Sequence, residues 1–306
     1  MKNMEGAMKK PKRQMRAVCF GEVLFDNFPS YSKIGGALLN VCVRLKSLGM
    51  DVSMISGVGA DSNGKDIIRY LIKEGVDTSG ILVQKEYPTG KVNVILNDKG
   101  VASYDISYPV AWDKIPVLNT YEDLVRNSDV LVFGSLASRD AVSRSTLKSI
   151  LKFAPYKVFD VNLRVPHYTY ERLIDLMEES NFIKFNDEEL FEIADYLGSP
   201  YNSMEQTIAF IAKETGTETI CVTKGAYGAI LYNKGDFYHN SGYRIKVLDT
   251  VGSGDSFLAS VIYKLFNEDG PQEAINFGCA VGALVAGSEG ANPILTKQGI
   301  AKFMNP

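Results

Sequence analysis

The sequence predicts an α/β domain of three layers, in which helices cover both faces of a mainly parallel central β-sheet. Apolar strand-like runs recur at 17–19, 52–55, 130–133, 157–161, 182–185 and 219–223. Between them, segments 38–48, 67–71, 147–151 and 208–212 carry apolar residues at helical spacing. Because this alternation is typical of βαβ units, we expect the strands to be parallel and buried.

Two segments break the alternation and predict a small β-sheet that forms a lid. In the second segment, Val92, Val94 and Leu96 alternate with polar residues before the turn sequence NDKG at 97–100, a pattern typical of a hairpin. Half-exposed strands do not fit inside a fully buried parallel sheet. We therefore assign about 22–34 and 89–111 to the lid, as insertions in a single domain at 17–306.

The first 16 residues predict a disordered leader. They carry a basic cluster, and no apolar run follows it before the first strand-like segment, which argues against a signal peptide. No stretch of the chain reaches the roughly 18 apolar residues that a membrane span needs. We therefore expect a cytoplasmic protein that does not associate with membranes.

Charge and cysteine content exclude further classes of function. The 306-residue chain has a net charge of −3, so it lacks the basic field with which proteins bind nucleic acid. Its four cysteines are scattered without a CxxC pair, which argues against a zinc site and a disulfide framework. We interpret them as reduced core thiols.

Two glycine-rich segments are unsuitable for their usual ligands. The run GADSNGKD at 59–66 has P-loop spacing as far as Lys65, but Asp66 stands where a P-loop needs a hydroxyl for magnesium. We interpret it as a turn between a strand and a helix. The run GVGADS at 57–62 lacks the third glycine of a dinucleotide-binding turn, which argues against a dehydrogenase.

A stronger signal for phosphate chemistry is the run DTVGSGD at 249–255, which precedes a helix with a buried face. Gly252 and Gly254 allow close backbone approach to a ligand, and the amides of 252–255, Ser253 included, lie at a helix start that can bind an anion. Asp255 could be a helix cap. A carboxylate beside a phosphate site is better explained as a proton acceptor, so we predict that it is a general base.

The run DTVGSGDSF at 249–257 resembles the DTxGxGDxF signature of the PfkB family of carbohydrate kinases. The runs GGALLN at 35–40 and GEVLFD at 21–26 are similar to the sugar-binding segment of the family and to the opening strand of its fructokinase branch. The resemblance implies a ribokinase-like fold and ATP-dependent phosphorylation of a sugar hydroxyl, with Asp255 as the base.

The resemblance also implies the residues that bind the sugar. Asp26 would accept hydrogen bonds from sugar hydroxyls, Gly35 and Gly36 would allow close backbone approach, and Asn40 would supply an amide. Arg164, in a DVNLR run at 160–164, would lie near the sugar or the transferred phosphoryl group. A turn residue at 26, a simple bend at 35–36 and a surface ion pair at 164 are the structural alternatives.

Nucleotide and metal ligands are implied by three further matches. In NDEE at 186–189, Asn186 would lie near the phosphates and Glu189 would hold hydrated Mg²⁺, although both could be capping residues. The turn at 223–228 implies nucleotide contacts from Thr223, Gly225 and Gly228. Cys279 falls where the family contacts the adenine. A monovalent cation, K⁺ in many relatives, is implied at Asp249, the Val251 carbonyl, Ser288 and Gly290.

For the substrate, the opening strand and the DVNLR run favour D-fructose, converted to fructose 6-phosphate. A 2-keto-3-deoxygluconate kinase and a ribokinase are alternatives within the resemblance, and Tyr104 and Tyr108 of the lid could decide among them. An alternative of another class is a sensor that binds sugar or nucleotide without catalysis, which the intact Asp255 disfavours. Since exposed lid edges benefit from pairing, we expect a homodimer formed through the lid.

Overall fold

A computed structural model describes residues 13–28, 30–96, 102–267 and 269–305, with the backbone alone at 94–96 and 102–104. Its strands are β1 (Arg16–Phe20), β2 (Leu24–Asn27), β3 (Ser32–Gly35), β4 (Asp51–Gly59), β5 (Ile81–Gln84), β6 (Gly90–Leu96), β7 (Ala102–Ile106), β8 (Val130–Gly134), β9 (Lys157–Asp160), β10 (Phe182–Asn186), β11 (Thr219–Thr223), β12 (Ala229–Asn233) and β13 (Asp236–Asn240). Its α-helices are α1 (Ala37–Leu48), α2 (Ser62–Lys73), α3 (Asn119–Arg126), α4 (Ala141–Leu151), α5 (Tyr170–Glu178), α6 (Asp187–Tyr196), α7 (Met204–Thr215), α8 (Ser253–Phe266), α9 (Pro271–Ala286) and α10 (Lys297–Met304).

The central sheet has, in the described part of the chain, nine strands in the order β13-β12-β11-β10-β9-β8-β1-β4-β5. All strands from β5 to β11 in this order pair in parallel, which confirms the predicted mainly parallel sheet. The edge formed by β12 and β13 is antiparallel, a feature that the strand-and-helix alternation did not predict. The carboxyl ends of β1, β8, β9, β10 and β11 therefore lie side by side at one end of the sheet.

Two hydrophobic clusters, one on each face of the sheet, confirm the three layers. Successive residues of β1 alternate between them, because side chains of a strand point to opposite faces. Ala17 and Cys19 pack in the cluster that includes α1, α8 and α9, whereas Val18 and Phe20 pack in the cluster that includes α4 to α7. All four cysteines are free and buried, as expected for core thiols.

The lid is a separate four-stranded sheet in the order β3-β2-β6-β7, which confirms the predicted small β-sheet. Its strands fall within the two predicted segments, except that β3 extends to Gly35. The tip of the predicted hairpin at 97–100 and the side chain of Tyr104 lie outside the described residues.

A buried ion pair attaches the base of the lid to the main domain. Arg139 Nε lies 2.7 Å from Asp113 Oδ1, and both side chains are almost fully buried. The Arg139 guanidinium also lies 4.1 Å from the ring centroid of Trp112 and donates to the Ser107 carbonyl oxygen at 2.6 Å. Because a buried charge without its partner is costly, this pair fixes the segment that leads out of the lid.

Three local expectations can be compared with the structure. Residues 1–12 of the predicted leader lie outside the described residues, but Arg16 belongs to β1, where its N–H donates to Asp129 Oδ2 at 2.8 Å, so the domain begins before residue 17. The P-loop-like run is a strand-to-helix turn, as predicted, because Asp61 caps α2 by accepting from the Gly64 N–H at 2.8 Å. Among the helices described here, none has both the length and the apolar character that a membrane crossing requires.

Candidate active site

The glycine-rich turn at 249–252 leads directly into α8. Gly252 is the residue before the helix and has φ 75°, in the left-handed region that favours glycine. A Cβ atom at Gly252 would lie 2.5 Å from the Cβ of Ala291, so the turn packs directly against the 290–292 segment. The Ser253 N–H donates to the Thr250 carbonyl oxygen at 3.2 Å and closes the turn. The N–H groups of Gly254 and Asp255 lie in the first helical turn, where a helix offers them no acceptor.

Asp255 is a partly exposed carboxylate in the first turn of α8. Its Oδ2 accepts a hydrogen bond from Asn40 Nδ2 on α1 at 2.8 Å, and Asn292 Nδ2 donates in turn to Asn40 Oδ1 at 2.9 Å. Desolvation, together with the nearby Asp160 carboxylate, raises the pKa of Asp255 to about 6, against the opposing effect of the Asn40 amide. The side chain is therefore an oriented carboxylate that ionises near neutral pH, as a general base requires.

The lid and the start of α1 bring three predicted residues together. A Cβ atom at Gly35 would lie 2.2 Å from Asp26 Oδ2, so the glycine makes room for that carboxylate. At Gly36, φ is 113°, and an added Cβ would lie 2.6 Å from the Glu22 carbonyl oxygen. The glycine pair is thus required by the close packing of β2, β3 and α1. Burial raises the pKa of Asp26 to about 6, and Arg164 opposes this shift.

Arg164 is exposed, and its Nη1 donates to the Leu163 carbonyl oxygen at 2.8 Å. Its positive charge lowers the pKa of Glu22, Asp26 and Asp255, against the larger effect of burial on each. Arg164 is therefore close enough to all three carboxylates to stabilise their ionised forms. The structure describes no ion pair of Arg164, so the surface ion pair considered above is not formed by the described residues.

A buried cluster of charges lies behind the start of α8. Lys184 Nζ is 3.0 Å from Asp160 Oδ1, and it would be 3.7 Å from a Cβ at Gly254. Burial alone lowers the pKa of Lys184, but the Asp160 and Glu189 carboxylates outweigh it and raise the pKa. The ammonium group therefore stays protonated beneath the turn. Asp160 Oδ2 is buried and has no hydrogen-bond partner among the described residues.

Asn186 and Glu189 form a capping box at the start of α6. Asn186 Oδ1 accepts from the Glu189 N–H at 2.8 Å, and Glu189 Oε2 accepts from the Asn186 N–H at 2.8 Å. Glu189 Oε1 accepts from the Leu163 N–H at 2.9 Å, which ties the DVNLR segment to α6. The structural alternative considered from sequence is thus present. This capping box leaves Glu189 able to bind the water shell of a magnesium ion as well, because each carboxylate oxygen has a second lone pair.

The residues predicted to contact nucleotide follow the neighbouring strand. Thr223 ends β11 directly beside Asn186, its registered partner at the end of β10. Gly228 has φ 78°, and a Cβ there would lie 2.0 Å from the Asn240 carbonyl oxygen, whereas Gly225 has φ 53° and open space around it. Cys279 lies on α9, and burial raises the pKa of its thiol to about 12, so it is a neutral group.

The four residues predicted to hold a monovalent cation lie in two turns that meet at Asp249. Asp249 Oδ1 accepts from the Val251 N–H at 3.0 Å, and Oδ2 accepts from the Gly290 N–H at 3.2 Å. The Ser288 hydroxyl donates to the Leu284 carbonyl oxygen at 2.8 Å. Lys33 Nζ, on the lid, lies 3.6 Å from Asp249 Oδ2.

Sequence reasoning missed Glu22, Lys33, Lys184 and Asn292. Lys184 gave a usable signal, because a single lysine inside the apolar run FIKF at 182–185 indicates a buried partner of opposite charge. Glu22 is buried, and desolvation raises its pKa to about 7, while its Oε1 accepts from the Ala37 N–H at 3.1 Å. Lys33 and Asn292 gave no local signal, because their partners are distant in sequence.

A mainly parallel α/β sheet, a glycine-rich helix start and a carboxylate in the first turn of that helix together suit an enzyme that transfers a phosphoryl group. The family model described as pfkB family carbohydrate kinase matches residues 29–298. The chain belongs to this family and is a sugar kinase.

Several known proteins are similar to this chain. An uncharacterized sugar kinase from Pyrococcus horikoshii is 30% identical over 249 residues, which are 78% of this chain and 74% of the relative. Its crystal structure in complex with ATP has a TM-score of 0.79 at 26% identity, covering 94% of this chain and 99% of the other. A fructokinase from Escherichia coli is 28% identical, covering 84% of this chain and 87% of the relative. A 5-dehydro-2-deoxygluconokinase from Halalkalibacterium halodurans is 24% identical, covering 89% and 85%.

Proposed function

We propose that this sugar kinase transfers the γ-phosphoryl group of ATP to D-fructose and forms fructose 6-phosphate, with Asp255 as the general base. The observation that carries the mechanism is the Asp255 carboxylate, oriented by Asn40 at 2.8 Å and located at the start of α8. The choice of fructose is supported by the GEVLFD opening and by similarity to fructokinases.

The sugar would bind in the cleft between the lid and the start of α8. Asp26 would accept hydrogen bonds from sugar hydroxyls. Because Gly35 and Gly36 have no side chains, the backbone there could approach the sugar closely. Asn40 already donates to Asp255, so its amide would hold the base and the sugar in one arrangement. Arg164 would contribute positive charge from the open side of the cleft. Positioning of this kind supplies much of the rate acceleration in phosphoryl transfer.

Nucleotide would occupy the neighbouring part of the same sheet edge. Thr223 and Asn186 end adjacent strands, so both can reach the phosphates of one ATP molecule. The turn containing Gly225 and Gly228 would lie under the nucleotide, and Cys279 would be an apolar neighbour of the adenine ring. This order along the edge brings the γ-phosphoryl group towards α8.

In the chemical step, Asp255 takes the proton of the C6 hydroxyl, and the oxygen of that hydroxyl forms a bond to the γ-phosphorus. The bond from that phosphorus to the β–γ bridging oxygen breaks, and ADP leaves with the electron pair. The N–H groups of Gly254 and Asp255, supported by the turn at Gly252 and Ser253, stabilise the charge on the transferred group. Lys184, beneath Gly254, contributes a positive charge there, which the Asp160 carboxylate partly offsets.

Magnesium fits this site as an ion delivered with ATP. Mg²⁺ usually keeps several waters and binds one or two carboxylates together with substrate phosphates. Asp160 Oδ2 is a free acceptor, and Glu189 has remaining lone pairs, so these two side chains would hold the water shell of the ion. Bound magnesium would neutralise charge on the β- and γ-phosphates.

The cellular setting and the assembly belong to the same proposal. We place the reaction in the cytoplasm, which is supported by four free buried cysteines in an ATP-dependent enzyme. We also propose a homodimer formed through the lid, because β3 and β7 are the edge strands of its sheet and exposed edges favour pairing.

The test of the substrate is ADP release from MgATP with fructose, ribose, 2-keto-3-deoxygluconate, tagatose and adenosine as acceptors. We expect the highest kcat/KM with fructose and a phosphate ester on C6, identified by phosphorus–proton coupling in the NMR spectrum. A higher kcat/KM with another sugar would replace the substrate and keep the mechanism. Absence of turnover with every acceptor, in a folded protein that binds ATP, would favour the sensor.

A further inference from the structure

The residues expected to hold a monovalent cation are gathered around the Asp249 carboxylate. A cation needs several oxygen lone pairs that converge on one point. Here Gly290 presents an N–H group to Asp249 Oδ2, and the Ser288 hydroxyl donates its hydrogen to Leu284. Asp249 Oδ1 is likewise engaged by the Val251 N–H. Because each Asp249 oxygen and the Ser288 hydroxyl keep a lone pair, these residues can still face one positive charge beside Asp249.

A positive charge from the chain itself is already close to this carboxylate. Lys33 Nζ lies 3.6 Å from Asp249 Oδ2, and both side chains are partly exposed, at 43% and 26%. The ammonium group also lies 5.2 Å from the centroid of the Tyr31 ring. Lys33 pairs with Asp26 across β3 and β2, so both side chains lie on one face of the lid. From this face Lys33 reaches Asp249 in the turn before α8.

The two sides of the contact line an open cavity of about 560 Å³ between lid and main domain. Phe28, Tyr31 and Lys33 line it from the lid, and Asp249 and Glu289 line it from the turns opposite. Lys33 is the lysine that lines this cavity, and its ammonium group reaches the Asp249 carboxylate. The contact therefore connects the lid to the turn that precedes α8.

We propose that the Lys33 ammonium group takes the place of a monovalent cation beside Asp249, so that phosphoryl transfer by this enzyme does not depend on K⁺. The inference rests on the proposed function of the 249–255 segment. Lys33 acts here as a positioning residue, because it contacts Asp249 rather than the reacting atoms. When the lid is closed, its charge completes the neutralisation of the turn.

A displacement of the turn at 249–252 would be transmitted to Asp255 through a chain of contacts. Asp249 holds Gly290, and the next residue, Ala291, packs against Gly252 at the start of α8. Asn292 then donates to Asn40, which donates to Asp255. A shift of the 249–252 turn therefore changes both the helix start and the orientation of the base.

The test compares wild type with Lys33→Met in 100 mM KCl and in choline chloride of equal ionic strength, on the order of 0.1 M so that surface charge is screened equally. Sugar-dependent kcat and the melting temperature are measured in each salt. For wild type we expect the same kcat and melting temperature in both salts. For Lys33→Met we expect kcat to fall about fivefold in choline, the size of an exposed ion pair, and to recover in KCl. The variant should also melt at a higher temperature in KCl than in choline.

Lys91→Met is the matched control. Lys91 lies on β6 of the same small sheet and pairs with Phe25, so it lies on the opposite face from Lys33. Its loss should change neither kcat nor the response to K⁺.

Two outcomes would overturn the proposal: activation or thermal stabilisation of wild type by K⁺, or a Lys33→Met protein whose kcat and melting temperature ignore K⁺. A variant that only raises KM for the sugar would make Lys33 a sugar ligand instead. If no sugar is phosphorylated at all, the proposed function fails, while the melting temperatures still decide whether K⁺ replaces Lys33.

Discussion

Opposing influences act on the pKa of the Asp255 carboxylate, and the structure identifies the residue behind each one. Burial and the Asp160 carboxylate raise its pKa to about 6, whereas Asn40, Lys184 and Arg164 stabilise the ionised form. A base is active when it is ionised, so activity is present above the pKa and lost as the pH falls through it. For the proposed base Asp255, this environment would set the pH range in which the reaction runs.

This environment predicts the acid limb of the pH profile. The kcat/KM for the sugar should fall below a pKa of about 6 in wild type. Arg164→Met removes a charge that lowers the pKa of Asp255, so the limb should move to higher pH. The measurement is a pH series of kcat/KM from about 5 to about 9, which brackets the range in which a raised carboxylate pKa is expected.

Arg126→Met serves as the control for this series, because Arg126 lies on α3 in an exposed ion pair with Glu122. Its limb should coincide with that of wild type. An Arg164→Met limb that stays in place or moves to lower pH would mean that another group controls the profile. A general fall in kcat/KM without a shift would assign Arg164 to sugar binding alone.

At the scale of the element, α8 depends on the backbone of the residue before it. Gly252 and Gly216 both have a left-handed backbone, with φ 75° and 68°. Only the environments differ, because a Cβ at Gly252 would meet Ala291, whereas a Cβ at Gly216 would meet nothing within 4 Å. The two glycines therefore separate backbone strain from displacement of the turn.

We expect Gly252→Ala to lower kcat at least about tenfold, since a displacement near 1 Å at a catalytic site can cost as much as a hundredfold. Gly216→Ala should keep wild-type kcat and lose on the order of 1 kcal/mol of stability, the usual strain of a left-handed residue. Steady-state kinetics and thermal unfolding of both variants check this. Equal effects of the two substitutions on kcat would contradict a specific role for the turn.

Elements with a regular local pattern could be predicted from the sequence, and the reason is physical. Strands β1, β4, β8, β9, β10 and β11 are buried on both faces and read as apolar runs. Strand β13 was not predicted, because it is a partly buried edge strand whose residues mix polar and apolar types. Strand β12 was also missed, although its first three residues are apolar and buried. The lid strands were predicted from their alternation, although the end of β3 at Gly35 was not.

At the scale of the whole molecule, the site joins segments that are far apart in the chain. Asn40 and Asp255 are 215 residues apart, and Asn292 and Asn40 are 252 apart. A motif shows that such residues are present, but their mutual contacts depend on the packing of α1 against α8. The pairing of Lys184 with Asp160 and of Lys33 with Asp249 likewise follows from topology rather than from local sequence.

The two β-sheets of the molecule have separate tasks in this account. The parallel sheet places the ends of β10 and β11 beside the start of α8, and the lid brings Asp26 and Lys33 over it. The ion pair between Arg139 and Asp113 fixes the base of the lid to the main domain. Phosphoryl transfer therefore requires both sheets.

The central claim, that Asp255 is the base of this kinase, is tested most directly by Asp255→Asn. The amide keeps the shape of the side chain at the start of α8, and Glu273→Gln in the exposed first turn of α9 is the control. We predict that Asp255→Asn binds ATP and melts like wild type but loses about a thousandfold in kcat, within the range of general-base catalysis. Sugar-dependent ADP release within tenfold of wild type would contradict the account.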